Sequence, residues 1–197
     1  MKRSIVKAGA LACVVCGCSS GYSGQITEHS LSRTFHDPVM LDEWRPRFND
    51  TVVVDVGGVW IAGQPSEEAL EELAADGFTT VICLRGQREL DNRDRIPYDV
   101  REKVESLDME WVHIPMTGEY GAEYLERFAE GIEGSEGRVL VHCTVAWRAS
   151  HMWGAYLARY HGYSYEGAWE IAGRIYPENP SPFERLLEIE MARVMED

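Results

Sequence analysis

Short apolar runs alternate with amphipathic segments along most of the chain. The apolar runs are rich in β-branched residues and predict strands at 59–62, 79–84, 110–115 and 138–142. The amphipathic segments repeat their apolar residues every three or four positions, which is typical of helices. They predict helices after Ser66 and over 97–107, 124–132, 148–160, 165–175 and 182–195. This alternation predicts an α/β domain with a mainly parallel central sheet flanked by helices and a helical C-terminal part.

The N-terminal segment differs in composition from the rest of the chain. A basic start and a short apolar stretch, "MKRSIVKAGALACVVC", have the layout of an export signal. The following "VCGC" resembles a bacterial lipobox and predicts lipidation at Cys18. We therefore expect a signal peptide over 1–17, a polar tether over 18–50 and the folded domain over 51–197. Signal cleavage without a lipid, or cleavage nearer Cys13, is the alternative.

These segments predict an extracytoplasmic lipoprotein that faces the periplasm, with the outer membrane as the preferred location. The membrane would then be a partner through the N-terminal lipid anchor alone, because no other apolar run is long enough to span a bilayer.

The charge of the chain limits its partners. Asp and Glu number 33 against 19 Lys and Arg, a formal net charge of −14, so nucleic acid would be repelled. A small anion can still bind where backbone N–H groups and one Arg converge. The histidines lack metal-ligand spacing, so we expect no metal, and no organic cofactor is indicated. Because only Cys83 and Cys143 lie outside the N-terminal segment, no disulfide framework is predicted.

The stretch "VLVHCTVAWRAS" carries the candidate chemistry. Cys143 follows the most apolar predicted strand and precedes a predicted helix, and ligands of parallel sheets bind at this edge. A helix N-terminus and a nearby Arg favour the thiolate, which is the nucleophilic form of cysteine. The backbone N–H groups of the loop would surround an oxyanion, and Arg148 would bind two of its oxygens. The predicted substrate-binding residues are Thr144, Val145, Ala146, Trp147 and Arg148.

"VLVHC" followed by a short loop, an Arg and a helix resembles the protein tyrosine and dual-specificity phosphatase superfamily. With "GVWIAGQPSEEALEELAADGFTTVICLRGQRE" and "WVHIP", the chain resembles the bacterial beta-lactamase-hydrolase-like phosphatases over about 58–161. The resemblance implies a phosphatase-like fold, with Cys143 as the nucleophile that forms a cysteinyl phosphate and Arg148 as the phosphate clamp. It also implies that His142 orients and polarises the thiolate.

The chain departs from the superfamily pattern in three places. Four residues separate Cys143 from Arg148, whereas five are usual, and rhodanese sulfurtransferases share the shorter spacing. Ala146 stands where family members commonly have Gly. The general-acid Asp expected after "IP" is absent, so Glu119 is the predicted acid, with Glu89, Asp91 and Asp94 as alternatives.

The resemblance favours a cysteine-dependent phosphatase that hydrolyses phosphate monoesters. A rhodanese-like sulfurtransferase with a persulfide on Cys143, and a non-catalytic phosphate-binding module, are the alternatives. The substrate is open among phosphotyrosine, phospholipid headgroups, sugar phosphates and nucleotides.

The roles of Cys83, Arg85 and Arg88 also have alternatives. Cys83 is either a core residue or the partner of a protective disulfide with Cys143, and Arg85 and Arg88 either attract substrate or are solvated loop charges, the expected role.

Overall fold

The computed structural model describes residues 33–176 and 179–188. The strands are β1 (Val39–Met40), β2 (Val53–Asp55), β3 (Val59–Ala62), β4 (Phe78–Cys83), β5 (Glu110–His113) and β6 (Arg138–His142). The α-helices are α1 (Glu67–Ala75), α2 (Gln87–Leu90), α3 (Val100–Ser106), α4 (Ala122–Gly134), α5 (Trp147–Tyr160), α6 (Tyr165–Ile175) and α7 (Ser181–Leu186), and a 3-10 helix spans Asp42–Phe48.

The six strands form one sheet in the order β1-β2-β3-β6-β4-β5. The pairs β3/β6, β6/β4 and β4/β5 are parallel, and β1 and β2 add an antiparallel edge. The predicted α/β fold with a mainly parallel sheet is thereby confirmed. Strand β6 lies between β3 and β4, so the loop after it emerges at the centre of the carboxyl edge.

The alternation of side chains along the strands divides the core between the two faces of the sheet. In β4, Ile82 packs with α4, α5, α6 and α7, whereas Val81 and Cys83 pack with α1, α3 and the 3-10 helix. In β6, Val141 faces the first of these layers and Leu140 the second. Both faces of the parallel strands are covered, which explains their nearly continuous apolar sequence.

Local sequence signals place several helix ends correctly. The Ser66 side chain accepts a hydrogen bond from the Ala69 N–H at 3.1 Å and caps α1 as predicted. Helix α3 is shorter than the predicted 97–107, because the Asp99 side chain caps it by accepting from the Glu102 N–H. The predicted last helix, 182–195, is observed as Ser181–Leu186, and residues after 188 lie outside the described part of the chain.

The folded domain begins before residue 51, so the predicted tether over 18–50 is too long. Strand β1 pairs with β2, and the 3-10 helix packs against the sheet through Phe48, which is fully buried. This segment lacks a regular apolar period, and its stability comes from contacts with residues distant in sequence. The predicted signal peptide and Cys18 lie outside the described residues.

Within the described residues, no helix combines the length and the apolar character that crossing a bilayer requires.

Candidate active site

The candidate loop leaves the sheet at the carboxyl end of β6 and leads directly into α5. Cys143 is the first residue after β6, and Trp147 is the first residue of α5. The Cys143 N–H donates to the Ala62 carbonyl at 3.3 Å, and the Gln64 N–H donates to the Thr144 carbonyl at 3.2 Å. The segment after β3 therefore holds the first half of the loop on one side.

Gly63 makes this close approach possible. It forms an isolated bridge with Val145, and a Cβ atom at position 63 would lie 1.8 Å from the Thr51 Oγ1 and 3.0 Å from the Thr144 carbonyl oxygen. A larger residue would collide with the Thr51 side chain and would also crowd the loop at the Thr144 carbonyl. The glycine of "AGQPS" is thus a structural requirement of the loop.

Ala146 ends the loop in the left-handed region, with φ of 73°. This conformation normally favours glycine, because the Cβ of an L-residue crowds the backbone. The position therefore has a backbone geometry that glycine adopts without strain, and an alanine occupies it at some cost in strain.

Cys143 is a free thiol with 1% of its surface exposed. Cys83 is also free, and it packs on the opposite face of the sheet from Cys143. Burial raises the pKa of Cys83 to about 12, so its thiol stays protonated. The structure thus separates the two cysteines and favours Cys83 as a core residue over a disulfide partner.

Arg148 is held by a carboxylate from α2. Its Nη1 donates to Glu89 Oε2 at 2.6 Å, and its Nη2 donates to Glu89 Oε1 at 2.7 Å. The remaining Nη contacts are with the Leu84 carbonyl at 3.3 Å and the Thr144 hydroxyl at 3.0 Å. The Thr144 hydroxyl in turn donates to Glu89 Oε1 at 3.0 Å. The guanidinium is therefore fixed in one orientation beside the loop.

Glu89 is ionised in this arrangement. Burial alone would raise the pKa of its carboxyl, but hydrogen bonds from Arg148 and the Gly86 N–H outweigh that effect and lower the pKa to about 2. The sequence placed Glu89 only among the alternative acids, and it did not predict α2. The detectable signal was a glycine three residues before a glutamate in "RGQRE", which matches a short helix start.

Arg85 is buried rather than solvated, so the expected loop role is wrong for this residue. Its Nη1 donates to the Gln64 Oε1 at 2.9 Å, and its Nε lies 3.7 Å from Glu89 Oε1. The Tyr98 hydroxyl links this network to the Pro65 carbonyl at 2.7 Å. Arg88 is exposed, as expected for a solvated charge. Sequence reasoning missed the network because its members come from three separate segments.

No hydrogen bond joins the His142 ring to the Cys143 thiol in the described part of the chain. His142 is fully buried, and both ring nitrogens lack a hydrogen-bonding partner within the described residues. Burial, assisted by the nearby Arg85, lowers its pKa to about 3, so the imidazole is neutral at neutral pH. It faces the same side of the sheet as its register neighbour Cys83, with its ring centroid 6.3 Å from that of Trp111. The implied role of His142 in orienting and polarising the thiolate therefore stays a prediction, without a hydrogen bond to the thiol that supports it.

The structure does not place Glu119, the predicted general acid, in a hydrogen bond or ion pair with Cys143 or Arg148 within the described residues. Glu119 is exposed. Its loop begins beside the site, because the Met116 N–H donates to the Leu84 carbonyl at 3.1 Å. Gly118 adopts a positive φ of 71° in that loop.

Asp91 and Asp94, two of the alternative acids, have no hydrogen bond or ion pair with Cys143 or Arg148 among the described residues. Asp91 is exposed and accepts from Gln87 at 2.9 Å. It lines a cleft of about 380 Å³ beside β5, and no residue from 143 to 148 lines that cleft. Asp94 is also exposed. Across residues 33–176 and 179–188, no three His, Cys, Asp or Glu side chains are grouped as a metal site would require.

The fold resembles that of solved phosphatases. Tk-PTP in its active form is 27% identical, with a TM-score of 0.56 over 68% of this chain and 91% of its own. PTPMT1 is 21% identical, with a TM-score of 0.54 over 71% and 95% of the two chains. TpbA of P. aeruginosa, solved with phosphotyrosine, is 17% identical, with a TM-score of 0.52 over 70% and 77%. The sequence has no significant match among curated proteins.

The family assignment agrees with the loop geometry. The family model for the phosphatase-like domain of beta-lactamase hydrolase-like proteins matches residues 56–159, which include β3, the Cys143 loop, Arg148 and nearly all of α5. This match covers more than half of the chain. The chain therefore belongs to the family of phosphatase-like domains that is named for the beta-lactamase hydrolase-like proteins.

Proposed function

We propose that the chain is a cysteine-dependent phosphatase that hydrolyses phosphate monoesters through a cysteinyl phosphate. The observation that carries this proposal is the pairing of Cys143, the first residue of the loop, with Arg148 in the first turn of α5, where Glu89 fixes the guanidinium. A thiol and an oriented fork of donors at a helix N-terminus match the needs of a nucleophile attacking a phosphate.

Arg148 can bind phosphate without losing Glu89. One N–H of Nη1 and one N–H of Nη2 point away from the side chain and hold the Glu89 carboxylate. The Nε–H and the second N–H of Nη2 form another pair of donors on one side of the guanidinium, and this Nη2 N–H donates to the Thr144 hydroxyl. A phosphate oxygen that replaces the Thr144 hydroxyl would complete a bidentate contact. Glu89 thus positions Arg148, and Thr144 marks where a substrate oxygen binds.

The reaction has two steps. The Cys143 Sγ attacks phosphorus, the phosphorus–oxygen ester bond breaks, and the leaving oxygen takes a proton from an acid. Water then attacks the cysteinyl phosphate and releases inorganic phosphate and the thiolate. We propose Glu119 as the acid, because its Gly-flanked loop starts beside Leu84 and can close over the site.

Hydrolysis of an aryl phosphate by the purified chain tests the proposal. Cys143→Ser and Arg148→Ala should each abolish turnover, whereas Cys83→Ser changes the other buried thiol and should retain it. Vanadate should inhibit the wild-type chain. Full activity in Cys143→Ser would refute the mechanism, and a persulfide on Cys143 after thiosulfate treatment would favour sulfur transfer instead.

We also propose that the mature chain is a periplasm-facing lipoprotein anchored through Cys18, with the outer membrane as its location. The basic start, the apolar stretch and "VCGC" support this proposal. Cell fractionation and intact mass of the wild type and Cys18→Ala test it. A variant that stays in the membrane fraction with an unchanged mass would refute lipidation.

A further inference from the structure

His151 lies one turn after the start of α5, directly behind the candidate loop. Its side chain is fully buried. The Nδ1 atom lies 2.7 Å from the carbonyl oxygen of Trp147, and the Nε2 atom lies 2.9 Å from the carbonyl oxygen of Asn179. The imidazole thus bridges the first residue of α5 and the segment that precedes α7.

Both of these contacts require the imidazole to donate. A backbone carbonyl oxygen only accepts hydrogen bonds, and a neutral imidazole has a single N–H group. In either neutral tautomer, one ring nitrogen would present a lone pair to a carbonyl oxygen in a buried place. The imidazolium form, with two N–H groups, satisfies both contacts at once.

The aromatic neighbours of His151 also favour a cation. Its ring centroid lies 4.8 Å from that of Trp147 and 5.6 Å from that of Trp169. Indole rings attract cations within about 6 Å of their centroid. The two carbonyl groups and the two indoles together form a cage suited to a positive charge.

The hydrogen-bond and ring partners of His151 within the described residues do not titrate. They are Trp147 from α5, Trp169 from α6 and the Asn179 carbonyl before α7. The nearby charged side chains have other partners: Arg148 binds Glu89, and Glu184 of α7 accepts from the Tyr165 hydroxyl. A charge on His151 would therefore act on the loop without a carboxylate in direct contact among the described residues.

We propose that His151 is an imidazolium in the folded protein and is a positioning residue for the anion-binding loop. It holds the carbonyl of Trp147, the residue before Arg148, and it places a positive charge behind the loop. An anion bound at the loop and the proton on His151 then stabilise each other. The consequence for catalysis rests on the proposed function, whereas the charge of His151 does not.

Nitrogen-15 spectra of the histidine rings in the full chain test the charge directly. We expect both ring nitrogens of His151 to carry protons at neutral pH, because each faces a carbonyl oxygen. A single neutral tautomer at that pH would overturn the proposal. This measurement uses the wild-type chain, so it does not depend on a variant that folds.

Sulfate binding tests the coupling to the loop, because the charge of sulfate does not change near neutral pH. The affinity of the wild type for sulfate should fall as the pH rises. His151→Gln should bind sulfate about fivefold or more weakly at low pH and lack that part of the pH dependence. His161→Gln, which changes the histidine at the other end of α5, should keep the wild-type profile.

Two outcomes of the sulfate experiment contradict the proposals separately. An identical pH profile in His151→Gln and the wild type would overturn the positioning role. No sulfate binding by the wild type would overturn both the coupling and the proposed function, while the nitrogen spectra would still decide the charge of His151.

Discussion

At the scale of single residues, Ala146 shows how a small departure from the family pattern affects the loop. Its left-handed conformation costs an L-residue roughly 1–2 kcal/mol, whereas glycine pays about 0.4–1 kcal/mol through the entropy of the unfolded chain. Ala146→Gly should therefore leave the free energy of unfolding unchanged or raise it by up to about 1.6 kcal/mol, measured by urea titration. Ala158→Gly, within α5, should lower it by about 1 kcal/mol. Equal losses in both variants would contradict the strain argument.

Glu89 allows a second test at this scale. Glu89→Gln keeps the side-chain shape but removes the charge that fixes Arg148, and hydrogen bonds to charged groups contribute about 1.5–3 kcal/mol. Aryl phosphate hydrolysis should fall about tenfold or more in kcat/KM. Glu105→Gln, in an exposed pair with Arg101, should have no effect. Faster hydrolysis in Glu89→Gln would mean that the carboxylate competes with phosphate.

At the scale of elements, apolar periodicity in the sequence predicts the strands and helices that bury an apolar face of their own. Strands β3, β4 and β6 and helices α1, α5 and α6 follow the apolar pattern closely, because each packs a continuous apolar face or run into the core. The one-turn α2 and the 3-10 helix lack such a pattern and depend on distant partners, Arg148 for α2 and the sheet for Phe48. Cys143 and Arg148 were therefore predictable, while the role of Glu89 and the buried Arg85 network were not.

The contribution of the 3-10 helix can be measured. Phe48 is fully buried, so Phe48→Ala should lower the free energy of unfolding by about 3–5 kcal/mol in denaturant titrations. Val39→Ala in β1, where the side chain is about half exposed, should change it far less. Similar small effects of both substitutions would instead support the predicted start of the folded domain at residue 51.

At the scale of the whole molecule, the local charge at the site is opposite in sign to the net charge of the chain. The net charge is −14, yet two guanidinium groups, Arg85 and Arg148, share the single carboxylate of Glu89 beside the loop. All three side chains lie at the carboxyl edge of the central parallel strands. Local donors thus create an anion site in a protein whose overall field repels large anions.

The buried His142 predicts how the stability of the whole molecule depends on pH. Burial lowers its folded pKa to about 3, against about 6.5 in the unfolded chain, so below about pH 6.5 only the unfolded state takes up this proton. The neutral imidazole therefore supports full stability above pH 6.5. As the pH falls toward 3, up to about 1.4 kcal/mol should be lost per pH unit. Urea titrations at pH 7.5 and pH 5 should show a smaller loss in His142→Gln than in the wild type. His36→Gln, at an exposed position, should behave as the wild type, and an equal pH dependence in His142→Gln would exclude His142 as the source.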